Sequence, residues 1–200
     1  MKKSSLLLLP FFLIACGGEE STDELTDAVD EVVEEVEEVV ENEEKKIASP
    51  RMQVEDEMNG VTVSIDYGSP KVKERVIWGE LVPFDEVWRA GANAATAITF
   101  GSDAIFGGEN VASGTYALFI TPHEEGEWDV ILNEEWSQEE HGVWGAYDYK
   151  EDKNVLKLDV SPNWSEDNVE EMGFSFKDGN LIFEWEKASF EISIASAVPA

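Results

Sequence analysis

This 200-residue chain has a single cysteine and few basic residues for its number of acidic ones. The single cysteine excludes an intramolecular disulfide framework. Fourteen Lys and Arg residues stand against 44 Asp and Glu residues, which gives a formal net charge of −30. Because proteins bind nucleic acid by neutralising its phosphates with Lys and Arg, this balance argues against a nucleic-acid partner. The composition indicates an acidic protein with a strongly hydrated surface.

A long apolar run is also missing. Residues 6–14 are apolar, but they fall short of the roughly 20 residues that a membrane-spanning helix needs. Lys2 and Lys3 precede this run, and Ala15 separates it from Cys16. A positive start, a short apolar segment and a small residue before the cysteine are typical of a secretory signal.

The sequence around Cys16 resembles the lipobox of bacterial lipoproteins. The resemblance implies that residues 1–15 are a signal peptide and that the thiol of Cys16 carries a lipid, which makes the membrane a partner. The alternative is an incidental thiol. Gly17 after the cysteine resembles lipoproteins that are sent to the outer membrane, and it leaves open whether the protein faces the periplasm or the outside.

Residues 16–48 are predicted to form an acidic stalk or linker. Residues 19–44 carry fourteen carboxylates and no basic side chain. Apolar residues recur there at steps of four and three, as on one face of a helix. Two alternatives stay open, namely a helical stalk that self-associates and a disordered tether. Either would hold the following domain away from the membrane.

Residues 49–200 are predicted to form one β-sandwich or barrel-like domain of about eight short, mainly antiparallel strands. Asn59-Gly60 before an alternating apolar pattern is a hairpin signal, and Gly107-Gly108 and Asp178-Gly179 mark further turns. The predicted strands are residues 61–67, 96–100, 115–121, 128–133, 155–160, 173–177, 181–187 and 190–194. A short helix is expected within residues 161–172, and a turn within 83–88.

Residues 75–100 combine apolar anchors with polar groups more densely than any other stretch. With the basic residues just before them, they predict a small cationic and amide-lined patch that suits a carboxylate, a phosphate or sugar hydroxyls. A loop rich in aromatic residues is a second candidate surface. The candidate ligand-binding residues are Lys73, Arg75, Trp88, Arg89, Asn93, Trp144, Tyr147 and Asp148. The alternative is that Arg89 satisfies buried carbonyls or pairs with a nearby acid, while Trp128 and Trp185 are expected to be core residues.

Catalytic and cofactor motifs are not evident. His123 and His141 lack the spacing of a zinc site, so no metal or cofactor is predicted. The sequence also contains no nucleophile-elbow serine and no phosphate loop. Paired carboxylates for hydrolysis carry little information in a chain with 44 acids.

Several separated segments between residues 66 and 185 resemble a known family. They are residues 66–70, 72–73, 77–79, 81–84, 87–89, 91–93, 114–119, 144–149 and 183–185. In this order they are similar to the bacterial domain of unknown function 2911, across residues 49–194. The resemblance implies a mainly β envelope protein and no established activity. Ser69 and Ala94 depart from the family pattern, which often has arginine and glutamate there.

Three functional hypotheses follow. The first is a lipid-anchored envelope protein whose β domain binds a small polar molecule or glycan. The second is an envelope hydrolase that uses carboxylates or His141. The third is a structural or assembly lipoprotein without a ligand.

Overall fold

A computed structural model describes residues 49–197, and these form two antiparallel β-sheets. The six-stranded sheet has the order β1-β2-β3-β6-β7-β8. Its strands are β1 Arg51–Met58, β2 Val61–Gly68, β3 Thr96–Phe100, β6 Gly114–Thr121, β7 Trp128–Asn133 and β8 Asn154–Val160. The four-stranded sheet has the order β5-β4-β10-β9. Its strands are β4 Ala104–Phe106, β5 Glu109–Val111, β9 Asn163–Lys177 and β10 Asn180–Ser196.

The tight turns follow from residues that tolerate positive φ. Asn59 and Gly60 have φ of 48° and 85° and join β1 to β2, with Met58 opposite Val61. Asp178 and Gly179 have φ of 51° and 82° and join β9 to β10. Two successive residues at positive φ give the type I′ geometry that matches the twist of a hairpin. Both predicted hairpins are therefore present.

The two sheets share one hydrophobic core. Alternating residues of β2, including Val61, Val63 and Ile65, are fully buried and belong to the same cluster as Phe183 and Trp185 of β10. Neither sheet closes into a barrel in the described part of the chain, so the all-β prediction is confirmed as two packed sheets. Burial of alternate side chains on the two inner faces stabilises a fold of two packed sheets.

The other face of the six-stranded sheet is covered in its middle. A second apolar cluster contains Ala95, Ala117, Phe119 and Ile131, and the loop after β7 packs Tyr149 against it. The β6 strand is consequently buried without interruption over its last six residues. This explains why its sequence is apolar throughout rather than alternating.

The expected helix at residues 161–172 was wrong. These residues enter β9, whose exposed first nine positions pair with β10 across two register shifts. Because the side chains at these nine positions are all exposed, they show no apolar alternation that would reveal a strand. The helices that are described are short, namely α1 Gln138–His141 and a 3₁₀ turn Glu151–Lys153. Neither of them has the length and apolar character that crossing a membrane requires.

The predicted signal peptide, Cys16 and the acidic stalk all lie outside the described residues. Residues 69–95, which join β2 to β3, are called the strap below. The strap contains most of the candidate ligand-binding residues. The expected turn within residues 83–88 is present, and Asp85 adopts φ of 62° there.

Candidate functional site

The strap is anchored to the six-stranded sheet through Trp88. The Trp88 backbone N–H donates to the Ile120 carbonyl at 2.8 Å, and the Ile120 N–H donates to the Trp88 carbonyl at 2.8 Å. Ile120 lies on β6, two residues after Leu118, which pairs with Thr96, the first residue of β3. The strap thus takes the place of a neighbouring strand for one residue. This pairing fixes the position of Trp88 and of Arg89, which follows it.

The Trp88 ring is held by a hydrogen bond and by several aromatic contacts. Its indole N–H donates to the Gly91 carbonyl at 3.2 Å. Its ring stacks on Trp185 of β10, with centroids 5.5 Å apart and planes 18° apart. Trp78 meets it edge-on at 6.0 Å. Such aromatic pairs stabilise by about 0.5–1.5 kcal/mol beyond their buried area. The ring is therefore preorganised.

Backbone strain is concentrated in the strap. Within residues 49–197, eight residues other than glycine have positive φ, and five of these lie in the strap: Lys73, Glu74, Asp85, Ala90 and Asn93. Ala90 is the least expected of the five, because it is fully buried and has no polar side chain to favour φ of 50°. Left-handed conformations cost on the order of 1–3 kcal/mol each and persist where the surroundings enforce them, often at functional sites.

A cleft of about 220 Å³ opens between the strap and β10. We call it the basic cleft. Its lining includes the side chains of Lys73, Arg75, Trp88, Arg89 and Trp185. Among the described residues, no Asp or Glu side chain lines it. The cleft therefore combines positive charge and indole surface without a carboxylate.

The basic side chains of this cleft differ from most others in residues 49–197, because they form no ion pair with a carboxylate of that part of the chain. Residues 49–197 contain ten Lys and Arg side chains. Six form ion pairs with carboxylates: Arg51, Lys71, Lys150, Lys153, Lys157 and Lys187. Of the four that have no such pair in the described part, Lys73, Arg75 and Arg89 line the basic cleft, and Lys177 lies on β9. Unpaired cations thus gather in one place.

The three basic side chains of the cleft differ in the hydrogen bonds that they already make. Arg75 donates from Nε to the Val72 carbonyl at 3.0 Å and from Nη2 to the Lys71 carbonyl, so it also supports the strap. The side chain of Lys73 is exposed, while its backbone N–H donates to a Glu170 carboxylate oxygen at 3.0 Å. Arg89 makes no ion pair or side-chain hydrogen bond with any residue in 49–197, and its Nε is buried. Arg89 is the cation best placed to bind a ligand.

A second buried donor belongs to another residue that lines this cleft. The Nε1 of Trp185 is buried and has no acceptor among residues 49–197. Buried donors are normally paired, and an unpaired one costs about 1–3 kcal/mol. With Arg89 Nε, two residues of the cleft lining therefore carry a buried donor without an acceptor in this part of the chain.

A neighbouring cleft of about 290 Å³ lies on the other side of Arg89. We call it the tyrosine cleft, because Tyr147, which is 82% exposed, forms part of its wall. Glu86 and Pro83 also line it. The clefts meet along three shared side chains: Leu81, Trp88 and Arg89.

Gly145 explains how Arg89 is held between the clefts. Gly145 is buried and has φ of 58°, and a Cβ atom there would lie 2.9 Å from Arg89 Cδ and 3.2 Å from the Asn93 carbonyl oxygen. Because glycine has no side chain, the loop after α1 can press directly on the aliphatic part of Arg89. The loop therefore positions the guanidinium.

The structure brings some of the predicted residues together and separates others. Lys73, Arg75, Trp88 and Arg89 share the basic cleft, and Tyr147 joins them through the tyrosine cleft. Asn93 is exposed, and its amide donates to the Ser49 carbonyl at 3.5 Å. Trp144 lines a separate depression, and Asp148 accepts from the Trp144 backbone N–H at 2.8 Å, closing a turn.

Both histidines lie away from the clefts. His141 is exposed at the end of α1. His123 Nδ1 lies 2.5 Å from Asp85 Oδ1 and its Nε2 lies 3.5 Å from Asp129 Oδ2. The hydrogen bond with Asp85, followed by the charge of Asp129, raises the pKa of His123 above its ordinary value. His123 therefore ties the strap to the sheet at Asp85.

Sequence reasoning missed Trp185 and Leu81 as cleft residues. Trp185 was predicted to be a core residue, and it is 1% exposed, so that prediction is confirmed. It is nevertheless part of the lining of the basic cleft. No local pattern could have shown this, because Trp185 and Trp88 are far apart in the sequence and meet only through the packing of the strap on β10.

The fold and these clefts define an all-β, two-sheet domain whose long strap covers the sheet edge and forms a basic cleft. Residues 49–194 match the family described as Protein of unknown function (DUF2911). Because the match covers more than half of the chain, the protein belongs to this family, as the sequence resemblance predicted. No curated protein and no solved structure matches the chain.

Proposed function

We propose that this domain is a binding module for a small anionic ligand, with the basic cleft as its site. The observation that carries the proposal is the gathering of Lys73, Arg75 and Arg89 in one cleft that no carboxylate of residues 49–197 lines, in a protein with a net charge of −30. An arginine with free donors favours carboxylate or phosphate, because its planar fork matches their oxygens. Indole walls favour a ligand that also carries a ring, such as an acidic sugar.

The hydrolase hypothesis receives less support from the same geometry. General acid–base catalysis needs a titratable side chain within hydrogen-bond reach of the reacting atoms. His141 is exposed on α1 and lines neither cleft, and the basic cleft is free of Asp and Glu within residues 49–197. Glu86 in the tyrosine cleft is a single carboxylate without a described partner carboxylate in that lining.

The binding proposal is tested by titrating the purified full-length protein with glucuronate, glucose 6-phosphate and neutral glucose in a calorimeter. We expect the two anions to bind and glucose to bind much more weakly. Arg89→Met keeps an aliphatic stem against Gly145 and removes the guanidinium. Since hydrogen bonds to charged groups contribute about 1.5–3 kcal/mol, the dissociation constant should rise at least about tenfold.

Lys177→Met is the matched control, because Lys177 is also an unpaired cation in the described part but lies outside the cleft. It removes the same charge and should change the dissociation constant by less than about twofold, since exposed charges are screened at physiological ionic strength. Equal weakening by both variants, or failure of both anions to bind, would refute the proposal.

We further propose that the protein is an outer-membrane lipoprotein anchored through Cys16. Support comes from the sequence alone: a positive start, a short apolar run and a single cysteine after a small residue. Metabolic labelling with an alkyne fatty acid should mark the wild-type chain and not Cys16→Ser. A labelled Cys16→Ser variant, or an unlabelled wild type, would contradict this.

A further inference from the structure

The two clefts share part of their lining, and each is small for a typical ligand. Leu81, Trp88 and Arg89 line both of them. Their volumes are about 220 Å³ and 290 Å³. Small-molecule sites usually measure roughly 300–1,000 Å³, a range that the clefts reach when taken together. A ligand of that size would occupy both clefts and lie along Arg89.

The tyrosine cleft differs in chemistry from the basic cleft. Its cation is the shared Arg89, and Glu86 contributes a carboxylate. Leu81 and Tyr147 are 44% and 82% exposed, so both offer apolar surface to a ligand. An aromatic side chain packs against the C–H face of a ring, and a carboxylate accepts hydrogen bonds from hydroxyls while repelling a second anion. This half suits an uncharged, hydroxylated ring.

We infer that the ligand is an acidic sugar joined to a neutral sugar. Its anionic group lies in the basic cleft on Arg89, and the neutral ring lies in the tyrosine cleft between Tyr147 and Glu86. This inference rests on the proposed function and specifies its ligand class. The anionic group is a carboxylate or a phosphate, since both offer the oxygens that the guanidinium binds.

The test compares one-ring and two-ring ligands on the purified full-length protein by calorimetry. Glucuronate is compared with an aldobiouronic acid, in which glucuronate is linked to a neutral hexose. Glucose 6-phosphate is compared with trehalose 6-phosphate. Because the second ring binds as a tethered group, at least one of the two-ring ligands should bind roughly tenfold more tightly than its one-ring counterpart. The pair that shows the gain identifies the anionic group as carboxylate or phosphate.

Tyr147→Ala should remove most of that gain while weakening the one-ring ligand far less. Trp144→Ala is the matched control, because Trp144 belongs to the same loop and is 42% exposed, but it lines neither cleft. It should leave the gain in place. Glu86→Gln should improve the binding of a diuronic acid relative to the aldobiouronic acid, because it removes the repulsion of the second anion.

The outcomes separate this inference from the proposed function. If glucuronate or glucose 6-phosphate binds and depends on Arg89, but the second ring adds nothing, the binding module stands and the two-cleft ligand is overturned. The two-cleft ligand is also overturned if Tyr147→Ala and Trp144→Ala have equal effects on the gain. If none of the four ligands binds, both the proposed function and this inference fail.

Discussion

Replacement of Gly145 by alanine tests how the strap and the loop after α1 are held together. Gly145 has φ of 58°, a conformation that costs an L-residue roughly 1–2 kcal/mol. The new Cβ would lie 2.9 Å from Arg89 Cδ and 3.2 Å from the Asn93 carbonyl oxygen. Overpacking of this kind costs about 1–3 kcal/mol. We therefore expect Gly145→Ala to lower the free energy of unfolding by about 2–5 kcal/mol.

Gly142→Ala provides a matched control within the same loop. Gly142 has φ of 72°, but a Cβ added there would meet nothing within 4 Å. Gly142 ends α1 in the left-handed conformation. Gly142→Ala should therefore lower the free energy of unfolding only by the cost of that backbone conformation, about 1–2 kcal/mol. The difference between the two variants isolates the contact with Arg89 and Asn93.

Thermal unfolding followed by circular dichroism measures both costs. For a chain of this size, 1 kcal/mol corresponds to roughly 2–4 °C in Tm, so the two variants should differ clearly. Adding Arg89→Ala to Gly145→Ala should recover part of the loss, because the side chain in the way is then absent. Equal Tm values for Gly142→Ala and Gly145→Ala, or no recovery in the double variant, would refute the packing proposed for Arg89.

Three further predictions concern the ion pair, the core and a buried hydroxyl. Because the bond to Asp85 raises the pKa of His123 above the ordinary 6.5, its stabilisation is complete below about pH 6.5 and is lost as pH rises through the raised folded-state value. The Tm advantage of wild type over His123→Gln should therefore shrink from pH 6 to pH 9, and a pH-independent advantage would contradict this. Phe183 is fully buried, so Phe183→Ala should cost about 3–5 kcal/mol in urea unfolding, and a loss below 1 kcal/mol would show that it is not a core residue. Ser69 Oγ donates to the Met172 carbonyl at 2.7 Å in a buried position, so Ser69→Ala should cost about 1–3 kcal/mol by the same assay, and an unchanged midpoint would argue against that bond.

Most strands could be predicted because their signals are local. The alternation at residues 61–67 follows from burial of one face of β2, and residues 96–100 and 128–133 coincide with β3 and β7. The turns at Asn59-Gly60 and Asp178-Gly179 follow from residues that tolerate positive φ. The first half of β9 could not be predicted in this way. It is an exposed edge strand, held by hydrogen bonds to β10, and its side chains record none of that pairing.

The candidate site was predicted in part. Lys73, Arg75, Trp88 and Arg89 are close in sequence, and the strap keeps them in one cleft. Trp144 and Asp148 were predicted as part of a second candidate surface, and in the structure a hydrogen bond between them closes a turn. Asn93 is turned to the surface, where its amide meets Ser49. The pairing of Arg89 with a nearby acid, which the sequence left open, is not found within residues 49–197.

By itself, the sequence determined the fold class, the family and the presence of a cationic, aromatic stretch in an acidic chain. Those properties depend on periodicity, turn residues and composition, which are local or additive along the chain. Only the tertiary structure decided that six of the ten described cations are neutralised and that three of the remaining four share a cleft with Trp185. Pairing of charges and the walls of a cleft depend on contacts between distant segments. A sequence pattern carries no information on which of them meet.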